Sequence, residues 1–409
     1  MALIASTASA RASTLDIFGF GGRSPGLAGT GVATADDYDA TFLNPAGLAY
    51  ATHKRATLGV LYGSFDLVLA GQRTDTQPAR GSVIGGLVPM PLGGVLKDRV
   101  GLGFGFYVPL DTLNKAAAPF PGVPSFALLA TRSQVIAIQV AVGVRVKDHL
   151  SIGAGVIALA ALRGNIDVTT DAAGRFTTFS EERLVTQFAP VLGVRYAMPA
   201  KQLTLGATFR APSRSDFDIE VTSDLGDAIP LSLPPIRIAG NAQYDPLTVA
   251  TEVAWQARPD LLASLQLQYQ RWSAFPLPTE NPVSGTPPQA PPGFHDTVVP
   301  RLSLEYVHPV GPSRFTGRLG YAFLWSPAPE MRGRQSLLDN HRHLAALGLG
   351  WSDRRTPVRI DVWVQAQYLQ FRRHTKDAGL FEPDDTLPFM TISTRGHVLA
   401  SGLTVGVDL

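Results

Sequence analysis

Residues 358–368 read VRIDVWVQAQY. Val358, Ile360, Val362, Val364, Ala366 and Tyr368 fall on one parity; Arg359, Asp361, Trp363, Gln365 and Gln367 fall on the other. A period of two places each set on one face of a β-strand, a pattern no helix reproduces. The same alternation recurs along the chain. Ile136, Ile138, Val140, Val142, Val144 and Val146 alternate with Ala137, Gln139, Ala141, Gly143, Arg145 and Lys147. Leu261, Ala263, Leu265, Leu267 and Tyr269 alternate with polar neighbours, and so do Phe315, Leu319, Tyr321, Phe323 and Trp325 with small or charged ones.

Working outward from these stretches gives fourteen strand segments, at about 55–70, 79–92, 99–111, 131–147, 149–170, 180–198, 201–223, 235–256, 261–275, 297–309, 314–327, 341–353, 357–373 and 391–409. Short connections alternate with long ones, near 71–78, 112–130, 171–179, 224–234, 276–296, 328–340 and 374–390. A membrane barrel has tight turns at one end and long loops at the other, and a tilted strand crosses the bilayer in about 9–11 residues. Soluble sandwiches and propellers favour strands of about 5–6 residues, and no fixed repeat supports a propeller. The expected fold is all-β: a 14-stranded antiparallel transmembrane β-barrel. A parity slip at Asp245-Pro246 reads as a bulge. Trp255, Trp272, Trp325 and Trp351 stand near strand ends, as interface girdles require; Trp363 falls on the lumen face.

Composition agrees. The chain has 409 residues, only 17% of them charged, with 40 Gly and 32 Pro; its mean hydropathy is +0.10. No window supplies the roughly 20 apolar residues of a membrane helix. The net charge of +2 gives no field for nucleic acid. With no cysteine there is no disulfide framework and no thiol chemistry. HExxH and P-loop motifs are absent. His341 and His343 alone make a weak metal pair. No catalytic residue, metal site or cofactor is expected.

Residues 1–12, ending in Ala10-Arg11-Ala12, read as the remnant of a secretory signal. Residues 13–54 lack barrel periodicity yet are too apolar and glycine-rich for a solvated tail. They read as a hatch inside the barrel, where glycine permits close packing and lumen side chains satisfy the backbone. The barrel then spans 55–409.

The hatch segment resembles that of the FadL-type outer-membrane transporters of long-chain fatty acids and other hydrophobic compounds. The resemblance rests on Gly19-Phe20-Gly21-Gly22-Arg23-Ser24-Pro25-Gly26-Leu27-Ala28-Gly29-Thr30-Gly31-Val32-Ala33, on Asp36-Asp37, and on Asn44-Pro45-Ala46-Gly47-Leu48. Later stretches are also similar: Arg318-Leu319-Gly320-Tyr321 with Pro327, and Asp339-Asn340-His341-Arg342-His343. The chain departs from many barrels in ending on Leu409 rather than Phe. The resemblance implies a plugged 14-stranded barrel in a Gram-negative outer membrane, in contact with its lipid and lipopolysaccharide and expected to be monomeric. It implies passive uptake of hydrophobic molecules by hatch movement and lateral exit through the wall. Fatty acids and aromatic or aliphatic hydrocarbons both remain open as substrates; the other readings are a small-solute porin, an outer-membrane lipid hydrolase and a surface-adhesion barrel.

Candidate residues follow. Asn44, Pro45, Ala46 and Gly47 form the hatch motif. Gly101, Gly103 and Gly105 share a face of the strand RVGLGFGFYVPLD, which also holds Pro109; strand Gly and Pro mark either a wall defect, serving as lateral gate, or room for the hatch. Arg145, Arg195, Arg301, Arg318 and Arg359 face the lumen and are candidates for a ligand carboxylate, or for pairing with residues such as Glu305 and Asp361. Phe120 and Phe126, in the apolar loop 112–130, are candidates for a groove through which ligand enters.

Overall fold

The alternation is realised in three dimensions. In a computed structural model, which describes residues 14–111, 114–115, 124–129, 134–170, 176–224, 235–277, 279–280, 290–331, 335–375 and 391–409, Val362, Val364 and Tyr368 point outward while Trp363, Gln365 and Gln367 are buried inside. Fourteen strands form the ring: β1 (Arg55–Leu69), β2 (Ala79–Pro89), β3 (Val100–Pro109), β4 (Ala137–Lys147), β5 (Leu150–Thr170), β6 (Phe176–Met198), β7 (Leu203–Arg210), β8 (Thr248–Arg258), β9 (Leu261–Gln270), β10 (Thr297–Val310), β11 (Ser313–Leu324), β12 (Arg342–Asp353), β13 (Val358–Thr375) and β14 (Thr391–Asp408). Each pairs antiparallel with the next. The ring closes through β1 and β14, from Arg55↔Asp408 to Leu69↔Thr394. Closure leaves no exposed sheet edge, the condition for a β-structure to span lipid.

The seventh and eighth segments differ from the sequence reading. Each breaks in two, leaving short barrel strands β7 and β8 and a rim hairpin of Ser213–Asp224 and Ile236–Asp245. The parity slip at Asp245-Pro246 is thus a boundary between two strands rather than a bulge, since Pro246 has no N–H to continue the ladder. The bulge falls instead at Ser215/Asp216. Strand Ser213–Asp224 pairs in parallel with β5 from Phe217↔Leu162 to Asp224↔Thr169, on the edge that β4 leaves free beyond its last pair, Ala137↔Leu159.

Trp255 and Trp325 are exposed on the outer surface, 51% and 49%, and Trp363 is buried inside. Trp272 is not a girdle residue. It is buried with Tyr244, Phe275 and Phe294 in an aromatic cluster at the loop end, its ring centroid 6.1 Å from that of Phe275.

Residues 14–51 pack within the ring, and residues 52–54 are exposed ahead of β1. The packed residues form three short helices, α1 (Thr14–Phe18), α2 (Arg23–Gly26) and α3 (Ala40–Leu43), then a 3-10 turn at Pro45–Tyr50. No single turn there is stable alone; burial against the wall fixes them. Phe20, Ala33, Ala40, Ala46 and Leu48 are fully buried. Inward glycines make the seat. A Cβ on Gly101 would overlap the Leu48 carbonyl oxygen, and one on Gly153 would overlap Pro45. Residues 1–13, which include the expected signal remnant, lie outside the described residues.

Candidate functional site

The lumen is divided by charge and polarity along its axis. At the loop end, Leu337↔Ser125 and Leu338↔Phe126 form a two-residue parallel pairing across the mouth. Phe126, Ala127, Leu128 and Leu129 are buried beneath it. Phe126 therefore does not line an open groove: at 1% exposure it packs in the core between two loops. Phe120 lies outside the described residues. Below the mouth, Phe65, Leu67, Leu369, Ile392 and Val398 continue one apolar cluster down to Phe18, Phe20, Phe42 and Leu43 of the hatch.

The hatch is tied to the wall all round by polar bonds. Asn44 is the pin of the Asn-Pro-Ala-Gly turn. Its Oδ1 accepts from the Ala46 N–H at 3.0 Å, capping the 3-10 turn. Its Nδ2 donates to the Val32 carbonyl at 2.6 Å and to the Val194 carbonyl of β6 at 3.0 Å. Pro45 supplies a fixed φ at the first turn position. Gly47 must be glycine because a Cβ would overlap the Ala35 carbonyl. Glu252 of β8, 2% exposed, accepts the Gly31 N–H at 2.8 Å and the Ala33 N–H at 3.1 Å. Gln365 donates to the Phe18 and Pro25 carbonyls, Gln367 to that of Ile17. Thr41 donates to Gln139 at 2.9 Å.

At the turn end the lumen is ionic. Arg23 of α2 bonds Glu305 of β10 through Nε and Nη2, both at 2.9 Å. Glu305 also accepts from Arg318 at 2.8 Å, and Arg318 reaches Asp361 at 2.5 Å. Arg55 pairs with Asp37 and Asp408. Arg23, Asp37, Arg55, Glu305, Arg318 and Asp361 line a cavity of about 270 Å³ under the hatch. A second of about 420 Å³, lined by His53, Arg314 and Arg359 among others, adjoins it. Asp39, 4% exposed, has its pKa pushed up to about 7, chiefly by burial and then by Asp37, against the pull of Arg23.

The five arginine candidates do not converge. Arg318 is consumed by Glu305 and Asp361. Arg359 stands 3.8 Å from Asp37 in the ionic chamber. Arg145 and Arg195 flank Tyr50, their guanidiniums 5.7 and 4.2 Å from its ring centroid. Arg301 alone faces the apolar side, donating to the Ala28 carbonyl at 2.6 Å and to Gln268 at 3.3 Å.

Gly101, Gly103 and Gly105 are no break in the wall. β3 is paired with β2 from Pro109↔Gly81 to Gly101↔Pro89, and with β4 from Val100↔Val144 to Tyr107↔Ala137. Pro109 sits beyond the last pair with β4, where its missing N–H costs no ladder bond. The glycines face the hatch: a Cβ on Gly103 would stand 2.7 Å from Leu48, and one on Gly105 2.6 Å from Phe20. His341 accepts from the Ser326 N–H at 2.9 Å, and His343 bonds Tyr321 and Gln370, each at 2.7 Å. Among the described residues no three His, Cys, Asp or Glu side chains gather to hold a metal.

A hydrophobic column ending on a wall-anchored plug, inside a closed fourteen-stranded ring, is a specific architecture. The family profile of outer membrane protein transport proteins (OMPP1/FadL/TodX) matches residues 1–405. The chain belongs to this family. Its members are outer-membrane β-barrels of Gram-negative bacteria that transport hydrophobic compounds and are not enzymes. This FadL-family barrel is similar in fold to a Pseudomonas aeruginosa FadL homologue, at 17% identity and a TM-score of 0.65, covering 99% of this chain and 100% of that one. It is similar to the P. putida toluene transporter TodX at 13% identity and a TM-score of 0.57, covering 96% and 99%. The Ralstonia pickettii toluene transporter TbuX matches at 15% identity and a TM-score of 0.53, covering 97% and 100%. No curated sequence matches.

Sequence reasoning missed several hatch-binding residues. Glu252, Gln365 and Gln367 stand on inward parity, and that much is readable. That Glu252 meets two hatch N–H groups is not, because the partners are more than 200 residues away.

Proposed function

We propose that this barrel takes up long-chain hydrophobic molecules by passive diffusion, with the hatch moving to open the path and the ligand leaving sideways into the bilayer. The observation that carries this is the apolar column from Phe126–Leu129 to Phe18, Phe20 and Phe42. A small-solute porin needs a water-filled lumen lined by polar groups; among the described residues an apolar cluster occupies the loop side of the hatch.

What lies beyond supports the lateral-exit reading. Straight ahead is the chamber of Arg23, Asp36, Arg55, Arg318 and Asp361, and an alkyl chain forced between ion pairs would desolvate them. The wall beside the hatch at Gly103 and Gly105 carries no inward side chain once Leu48 and Phe20 withdraw. The proposed exit is there, and it requires the continuous β2–β3 ladder to part as the hatch leaves.

The test is uptake of a labelled long-chain fatty acid, and of a labelled alkane and toluene, by cells lacking their own transporter. Uptake by the intact chain that changes in Asn44→Ala, with the barrel correctly inserted, supports the proposal. An inserted intact chain that takes up none of the three overturns it.

A further inference from the structure

The lipid-facing wall is not uniform. Across β12, β13, β14 and β1 the outward positions Ala345, Ala366, Ser401 and Ser64 carry small side chains, flanked by the exposed Leu347 and Leu399. These positions adjoin in register: Ala345↔Ala366, Ala366↔Leu399, Leu399↔Ser64 and Ser401↔Tyr62. Together they leave a groove of about 740 Å³ in the outer surface. Sites that hold ligand-sized apolar groups run to about 300–1,000 Å³, so the groove has room for an acyl chain.

Toward the loop end the same face turns basic. Arg80 of β2 flanks the groove at Tyr62, its guanidinium 6.0 Å from the ring centroid. Arg395 of β14 and Arg73, in the turn after β1, both pair with Val68 of β1. Arg373 joins them through a bulge. The inward positions of β13 are Trp363, Gln365, Gln367 and Leu369, all buried, so strict alternation would put Arg373 inside. The register shift between Leu369 and Arg372 reverses the parity. Arg372 turns inward and donates to the Asp339 carbonyl at 3.0 Å; Arg373 is exposed, opposite Ser393. Two carboxylates answer these four arginines. Asp66 stands 3.2 Å from Arg73 and Asp111 3.4 Å from Arg80. Among the described residues, Arg373 and Arg395 have no carboxylate partner. Charge on the lipid face costs much at the bilayer midplane and little at the interface. This sector therefore sets an apolar groove in the bilayer under a cationic rim at headgroup level.

We propose that the outer wall from β12 to β1 is a binding site for one phosphorylated, multiply acylated glycolipid of the outer leaflet, a lipopolysaccharide. One acyl chain fills the groove over Ala345 and Ala366. The headgroup phosphates meet Arg373 and Arg395, whose planar guanidiniums match phosphate in two-pronged geometry. Charge selects this occupant. Basic clusters beside an apolar surface recognise anionic lipid, whereas a zwitterionic phospholipid brings its own ammonium to the rim. A second copy, related by an axis along the membrane normal, would set like charge against like charge at the same depth. The site is on the outside of the barrel, so it is independent of the uptake reading above.

The test is equilibrium binding of lipid A, of dephosphorylated lipid A and of phosphatidylglycerol to the whole detergent-solubilised protein, at one detergent concentration. The double variant Arg373→Gln with Arg395→Gln should weaken lipid A binding by about tenfold or more and leave the dephosphorylated form unchanged. Ala366→Leu fills the groove and should weaken both. Ala207→Leu, on the outward face of β7 across the ring, should change neither. If the double variant fails to insert, Arg395→Gln alone takes its place. Lipid A binding that ignores the arginines overturns the proposal. So does an equal loss in Ala207→Leu and Ala366→Leu, which would mark an unspecific lipid shell. Phosphatidylglycerol bound as tightly as lipid A, with the same arginine dependence, overturns the assignment to a glycolipid. Ser401→Cys would be the sole thiol of a chain without cysteine; its ready disulfide dimerisation in the membrane would put a second copy in the groove and overturn the proposal as well.

Discussion

Arg23 and Glu305 face each other in a two-pronged geometry, both bonds 2.9 Å long, one residue on the hatch and the other on β10. Parallel N–H···O bonds of this kind fix orientation as well as distance. The pair sits at the ionic end of the lumen, so it bolts the hatch from below while apolar packing holds it from above.

Arg23→Met should therefore unseat the hatch without dissolving the barrel. Glu305 keeps Arg318, so the loss is confined to charge-assisted bonds of about 2 kcal/mol, or roughly thirtyfold in the population of open hatch. Planar-bilayer recordings should show longer and more frequent openings, and high salt should produce a weaker version of the same change in wild type. Closed behaviour identical to wild type would mean that the hatch is held elsewhere.

Asn44→Ala removes three bonds, to Val32, Val194 and Ala46. Only the Val194 bond reaches the wall, so seating weakens directly by about 1 kcal/mol, while loss of the other two loosens the hatch's own turn. The melting temperature of the barrel should stay unchanged, because Asn44 contributes nothing to the ladder. Protease sensitivity of the segment 30–50 should rise. Asn44→Asp should be at least as disruptive, since a carboxylate cannot donate to either carbonyl.

The glycines of β3 separate two roles. A phenylalanine at Gly103 collides with Leu48 and Thr41, so it must displace the hatch, and basal conductance should rise. If ligand also exits there, uptake should fall in the same variant. Conductance up with uptake intact would leave Gly103 as a hatch seat only.

Asp39 gives hatch seating a pH dependence of known sign. Its pKa stands at about 7 when buried, against an unfolded value of about 3.9. The seated state thus binds the proton more tightly. This contribution is complete below about pH 4 and fades as pH rises to about 7, by up to roughly 4 kcal/mol. Hydrogen exchange across residues 36–44 should be slower at pH 5 than at pH 8. Asp39→Asn should be slow at both. A wild-type hatch equally protected at the two pH values would contradict the burial of a charged Asp39.

Much of the architecture was legible in single strands. Parity in 358–368 fixed which side chains face lipid, because a strand offers only two faces. Strand count, loop ends and the plug followed from spacing and from a glycine-rich lead-in with no period. The breaks at Ala211-Pro212 and Pro246-Leu247 were not resolved in this way, since alternation continues on both sides of each. Trp272 near a strand end was indistinguishable from a girdle residue until Tyr244 and Phe275 closed over it. The glycines of β3 showed only that something comes close; the sequence left open whether that was a gap or Leu48.

What the sequence determined by itself, then, is everything that depends on local period: an all-β ring with alternating faces, and a segment that cannot stand alone. The tertiary structure decided what depends on partners distant in the chain. Arg318 and Arg301 have the same residue type and the same inward parity. One is spent on Glu305 and Asp361, while the other faces an apolar column across from Asp16. A side chain's parity is set by its neighbours one and two residues away. Its electrostatic role is set by whichever charge the closed ring and the hatch bring within a few ångströms.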